Sequence, residues 1–179
     1  NDKTPYLREI MDQVTDINTQ KIVIMSAAQV GKTETILNAI GYYIHYEPST
    51  ILVVQPTITM GESFSKEKLS PTIRDTPVLT ERISDKSRNS GNTIMQKVFP
   101  GGHVTIVGAN SPSSLASRPI RIVLADEIDR YPATTGDEGD PLLLAIKRTE
   151  NFWNKKIIEV STPTTKEESR IAVEYENSS

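Results

Sequence analysis

Short apolar runs rich in β-branched residues recur along the chain, separated by longer stretches of mixed polarity. They fall at Lys21 to Met25, Ile51 to Val54, Val104 to Val107, Ile122 to Ala125 and Ile157 to Val160. Near-continuous apolar runs of this length suit strands buried on both faces; strands with one wet face alternate apolar and polar positions. Between the first two runs, Thr33 to His45 sets Ile36, Leu37, Ile40 and Ile44 at helical spacing, and Pro48 with Ser49 ends that element. The alternation predicts an α/β fold, with a mostly parallel central sheet and helices on both faces. Thr93 to Phe99 and His103 to Val107 flank Pro100-Gly101-Gly102, which predicts an antiparallel hairpin beside the main sheet. Ser111 to Ser117, rich in serine, and Pro132 to Asp140, polar with two glycines, are expected to be loops.

Composition narrows the chemistry. The 179 residues fit one domain, residues 1 to 179, and no internal repeat divides them. The chain starts without methionine and ends in a polar stretch, so a segment of a longer protein is expected. With 36% hydrophobic and 24% charged residues, a folded body is expected rather than disorder. The absence of cysteine excludes disulfides, zinc ribbons and thiolate catalysis, and two histidines, His45 and His103, are too few for a usual metal cluster. Any metal is therefore expected on oxygen ligands. No apolar run approaches the roughly 20 residues needed to cross a bilayer, and Asn1 to Tyr6 do not resemble a signal peptide. A cytoplasmic protein is expected. The net charge of -3 argues against coating nucleic acid by charge alone, so any DNA contact is local. Two basic clusters, Lys147 and Arg148 with Lys155 and Lys156, and Lys86 with Arg88, fit either such a contact or, the blander reading, a solvated helix face.

The first strand runs directly into Ser26-Ala27-Ala28-Gln29-Val30-Gly31-Lys32-Thr33, followed by the amphipathic helix. The segment nearly matches the phosphate-loop pattern G-x-x-x-x-G-K-[ST], with Ser26 where the first glycine belongs. Phosphate oxygens need backbone N–H groups turned inward, and the unpaired donors of a helix start add the positive end of its dipole. Gly31 permits the close backbone approach, Lys32 would neutralise the outer phosphates, and the Thr33 hydroxyl would sit on Mg²⁺. Glu34, in the first helical turn, belongs to the same candidate nucleotide-binding set. A chance G-K-T triplet is the alternative; the strand before it and the helix after it favour the phosphate loop.

A second motif ends the strand beginning at Ile120, where Asp126 and Glu127 follow the apolar run. If this strand neighbours the phosphate strand, Asp126 reaches the Mg²⁺ shell and Glu127 the water that attacks the terminal phosphorus. An exposed acidic turn is the alternative in isolation, and the upstream phosphate loop favours catalysis. A third strand ends at Ser161-Thr162-Pro163. Small hydroxyls at such a strand end sense a terminal phosphate and couple its state to the fold, or they form an N-cap or turn ahead of the following helix; both readings fit the local chemistry.

Taken in order, Pro5 to Met11, the Ser26 to Thr33 loop, Pro71 to Pro77, Asp126-Glu127 and Ser161-Thr162-Pro163 resemble the large terminase subunits of tailed phages, specifically the lambda GpA type. The resemblance covers nearly the whole chain. It implies a P-loop NTPase of the additional-strand class, in which an extra central strand accompanies a catalytic glutamate. ATP and Mg²⁺ would be its cofactors, and its work would be DNA packaging in the host cytoplasm. The implied partners are double-stranded viral DNA, the small terminase subunit and the portal protein, with assembly into a homo-oligomeric ring. The RNase H-like nuclease that follows in this family lies beyond residue 179, so nuclease activity is not expected here. The resemblance also puts Tyr6 and Arg8 near the adenine. Several terminases carry an arginine inside the phosphate loop where this chain has Ala28 and Gln29; Arg118 and Arg148 are then the candidate arginine fingers, or plain surface arginines. A helicase-like translocase and a nucleotide-gated, non-catalytic assembly module remain as alternative functions.

Overall fold

Each apolar run becomes a strand. The computed structural model describes residues 5–27, 30–83, 91–115, 118–165 and 169–178. In chain order the elements begin with α1 (Tyr6–Thr15), β1 (Lys21–Met25), α2 (Lys32–His45) and β2 (Thr50–Gln55). Three short helices follow, α3 (Ile58–Phe64), α4 (Ser70–Asp75) and α5 (Pro77–Arg82), with a π-helical turn over Ser65–Leu69 joining the first two. Then come β3 (Gln96–Phe99), β4 (Gly102–Gly108), α6 (Pro112–Leu115), β5 (Ile122–Asp126), a 3₁₀ turn (Ile128–Arg130), α7 (Pro141–Lys147), β6 (Lys156–Ser161) and α8 (Arg170–Asn177).

The strands form one six-stranded sheet in the order β1-β6-β5-β2-β4-β3, parallel except for the antiparallel β3–β4 pair. This order corrects one expectation. The acidic strand β5 does not adjoin the phosphate strand β1, because β6 lies between them. Burial explains the placement: every residue of β6 is buried, as a central strand requires, whereas Lys21 and Met25 at the two ends of β1 are exposed, as an edge tolerates. The implied extra central strand is therefore β6. The hairpin forms as expected but starts later, at Gln96; its turn uses Gly101 at φ 90°, and a side chain on Gly102 would meet the Ser49 carbonyl oxygen at 2.1 Å. Ser111 to Ser117 is not wholly a loop, since Pro112 starts the single turn α6.

Two apolar cores lie on opposite faces of the sheet. One packs Val14 of α1, Ile36, Ile40 and Ile44 of α2 and Leu79 of α5 against Val53, Leu124, Ile158 and Val160. The other packs Leu115, Leu142, Ala145 and Ile171 from α6 to α8 against Leu52, Val54, Val123 and Ala125. Side chains on parallel strands alternate between faces, so Gln55 and Asp126 point to the α2 side. The phosphate loop, Asp126 and the end of β6 consequently share the carboxyl edge of the sheet, where ligands of open α/β sheets bind.

Candidate functional site

Gly31 is the N-cap of α2 and holds φ 89°, a left-handed conformation that ordinary residues avoid. The turn points the first amides of α2 toward a cavity of about 520 Å³ lined by Gly31, Lys32, Thr33, Glu34, Glu127 and Thr162, with Arg130, Pro163 and Thr164 along the rim. The Lys32 side chain is only 8% exposed. Its ammonium donates to the carbonyls of Ala27 at 3.3 Å and Ser26 at 3.5 Å and to the Thr162 hydroxyl, and it lies 3.6 Å from Glu127 Oε1. One cation thus touches the loop, the acid strand and the end of β6. Ala28 and Gln29 lie outside the described residues.

Asp126 ends β5 within electrostatic reach of Lys32 and Glu127 but does not itself line the cavity. It is buried, and Gln55 Nε2 donates to its Oδ2 at 3.0 Å. Burial pushes its carboxyl above the ordinary carboxylate range; the Gln55 hydrogen bond opposes this, repulsion from Glu127 adds to it, and the Lys32 ammonium pulls the other way. A bound cation would restore the charged form. Among the described residues no cluster of three or more His, Cys, Asp or Glu could hold a metal. Mg²⁺ takes one or two protein oxygens and completes its shell with phosphates and water. The buried Asp126 carboxylate and the Thr33 hydroxyl are oxygen donors of that kind.

Glu127 caps the 3₁₀ turn with φ 54°, the single non-glycine residue at positive φ among those described. Such backbone costs roughly 1–3 kcal/mol and persists where its surroundings enforce it. Here Asp129 N donates to Ser161 Oγ at 3.2 Å, while the Asp129 carboxylate accepts from the amides of Thr164 and Ile171, each at 2.8 Å. Burial alone would raise the Asp129 carboxyl, but those amides and the hydroxyls of Ser169 and Thr164 outweigh it and hold the group below its ordinary value. Ser161 and Thr162 do not cap α8, which Ser169 caps; the Ser161 hydroxyl donates locally to the Thr162 carbonyl at 3.1 Å, and the Thr162 hydroxyl accepts from Lys32.

The remaining expected residues divide. Ser26 and Val30 line a second, apolar cavity of about 250 Å³ together with Leu7, Ile10 and Ile24, and the Ser26 hydroxyl is buried without a partner. Tyr6 opens α1, but its side chain lies outside the described residues; Arg8 is exposed and lines neither cavity. Leu7, not Arg8, approaches the loop, since a β-carbon on Gly31 would sit 3.4 Å from Leu7 Cδ1. Arg118 and Arg148 are gathered at the amino end of β5, opposite the cavity, where the Arg148 guanidinium donates to the carbonyls of Arg118 and Ser114. Neither arginine lines either cavity. The basic cluster around Arg148 also loses Lys156, which is buried and donates to the carbonyls of Gln13 at 3.0 Å, Asp16 at 2.6 Å and Thr19. Lys86 and Arg88 lie outside the described residues. Gln55, Asp129 and Arg130 escaped sequence reasoning. Gln55 left a trace there, being the lone polar residue closing an apolar run, as Asp126 and Ser161 close theirs.

A glycine-turned loop at a helix start, an extra strand between loop and acid strand, and a paired Asp-Glu at the acid strand's end define the P-loop nucleoside triphosphatase fold with an additional central strand. Residues 1–179 match the sequence model of the phage terminase large subunit gpA, ATPase domain. The chain belongs to that family. It is 29% identical over 164 residues to the terminase large subunit of Enterobacteria phage P21, covering 90% of this chain and 26% of that protein. Against the terminase large subunit of Escherichia phage lambda the identity is 28% over 163 residues, covering 89% and 25%. The chain thus spans about a quarter of the length of these curated relatives. In fold it is similar to the HK97 bacteriophage large terminase, with a TM-score of 0.75 at 13% identity over 97% of this chain and 36% of that one.

Proposed function

We propose that this domain hydrolyses ATP with Mg²⁺ to drive double-stranded viral DNA into procapsids, as the motor of a terminase large subunit. Family membership supports the ATPase chemistry. The observation that carries the site assignment is the Lys32 ammonium, 3.6 Å from Glu127 and in contact with Thr162 at one cavity. The α2 amides and Lys32 bind the phosphates and spread their charge. Glu127 orients a water in line with the terminal phosphorus and takes its proton as the new P–O bond forms, while the bond to ADP breaks with its electron pair leaving on the ADP oxygen. Mg²⁺, held by Asp126 and the Thr33 hydroxyl, would neutralise charge on the phosphate oxygens. Thr162, touching Lys32, reports the loss of that phosphate to β6, which is the coupling role assigned to Ser161 and Thr162.

The further partners proposed are a small terminase subunit, a portal and neighbouring copies in a ring, all in the host cytoplasm. Among the described residues no helix is long and apolar enough to cross a membrane. The test is ATP turnover with and without duplex DNA, on this chain and on one extended through the rest of the large subunit. Glu127→Gln is expected to bind ATP and lose turnover, and Lys32→Ala to lose affinity for the triphosphate. Undiminished hydrolysis in Glu127→Gln would overturn the assignment, and strand unwinding by the extended chain would favour a helicase instead.

A further inference from the structure

An arginine does stand at the phosphate cavity, and it is neither Arg118 nor Arg148. Arg130 is the one arginine among the described residues lining that cavity, beside Lys32, Thr33, Glu127 and Thr162. It closes the 3₁₀ turn that Glu127 begins, and its amide donates to the Glu127 carbonyl at 2.9 Å. The turn itself is anchored by the bonds of Asp129, so the base of the side chain is fixed. Its tip is not, because the side chain is 64% exposed. The guanidinium Nε sits 3.9 Å from Glu127 Oε2, while Lys32 Nζ sits 3.6 Å from Oε1. Two cations therefore flank the carboxylate that positions the attacking water, one from the buried side and one from the solvent side.

An exposed ion pair across 3.9 Å is weak and readily exchanged. A terminal phosphate offers the same guanidinium a stronger, charge-assisted and bidentate partner. We propose that Arg130 is a catalytic residue of this ATPase: within its own subunit it leaves Glu127 to donate to the oxygens of the transferring phosphoryl group. As water oxygen bonds to phosphorus and the ADP oxygen departs with its electron pair, negative charge on those oxygens is met by Lys32 from below and Arg130 from above, while Glu127, released from its second cation, accepts the water's proton. The assignment rests on the reading that this cavity takes the triphosphate.

Binding of ADP alone, and of ADP with Mg²⁺ and aluminium fluoride as a mimic of the transferring phosphoryl group, separates the roles without requiring turnover. Native chain, Arg130→Ala and Arg130→Lys are expected to bind ADP alike. The extra affinity conferred by aluminium fluoride should fall about a hundredfold in Arg130→Ala, the scale of a lost transition-state donor. Arg130→Lys should recover part of it, having the charge without the planar fork. An unchanged increment in Arg130→Ala would mean the side chain merely pairs with Glu127, and would overturn the proposal while leaving the site intact. No ADP binding by the native chain, or none lost in Lys32→Ala, would instead remove the cavity assignment and Arg130 with it. In a turnover assay, mixing Arg130→Ala with Glu127→Gln should restore nothing, since each site needs its own pair; recovery would place the arginine in a neighbour's site and refute action within the subunit.

Discussion

Glu159 brings a carboxyl group into the centre of the sheet, and replacing it with glutamine measures what that costs. The residue is fully buried on β6. The Lys21 ammonium on β1 lies 3.1 Å from Oε1 but is shared with Glu174 of α8, and it is the single cation paired with the buried carboxyl among the described residues. Burial raises the carboxyl from 4.5 to about 7; Lys21 offsets part of the rise and Glu174 of α8 adds to it by repulsion. At about 1.4 kcal/mol per pH unit between those two values, ionising Glu159 in the folded protein costs about 3 kcal/mol. A raised carboxyl binds its proton more tightly in the folded state than in the unfolded one. Its contribution to stability is therefore most favourable below pH 4.5, declines as pH rises toward 7, and stays flat above. Glu159→Gln cannot ionise. Urea unfolding followed by far-ultraviolet circular dichroism should show the variant gaining about 2 to 3 kcal/mol on the native chain between pH 5 and pH 8. A stability difference that does not change across that range would show that Glu159 is ionised throughout and that Lys21 compensates its burial fully.

Other consequences are as measurable. Gly102→Ala places a methyl 2.1 Å from the Ser49 carbonyl oxygen, a backbone atom that cannot swing aside, and should cost more than about 2 kcal/mol in urea unfolding. Leu124→Ala empties a fully buried position beneath α2 and should destabilise the fold by about 3–5 kcal/mol; a loss under about 1 kcal/mol would contradict the packing described. Gln55→Leu removes the Nε2 donor that opposes the upward push on Asp126, so in metal-free protein that carboxyl should titrate at higher pH, as read from its carbon-13 shift; superimposable titrations would show that Gln55 does not tune it.

The strands were legible because a two-faced parallel sheet demands continuous apolar runs, and the Gly31-Lys32 turn and the Asp126-Glu127 pair stood out as candidates because each is contiguous in sequence. Strand order was not legible in this way. Nothing within Ile157 to Val160 says that it inserts between β1 and β5; that emerges only when every strand competes for the sites with most burial. The basic residues failed for a similar reason. Lys156 and Arg148 look like surface charge in a list of residues, yet each spends its donors on backbone carbonyls that only the fold brings near. Arg130 carries no signal of its own in the sequence, and only the 3₁₀ turn after Glu127 brings it, three positions on, back to the same cavity.

Lys156 and Ser161 are the first and last residues of β6. One grips the carbonyls at the end of α1 and in the turn leading to β1; the other supports the turn that carries Glu127. An extended strand of six residues is nearly inextensible and spans roughly 20 Å. Paired to β1 on one side and β5 on the other, it acts as a fixed strut that sets the turn carrying Glu127 at a constant distance from the end of α1.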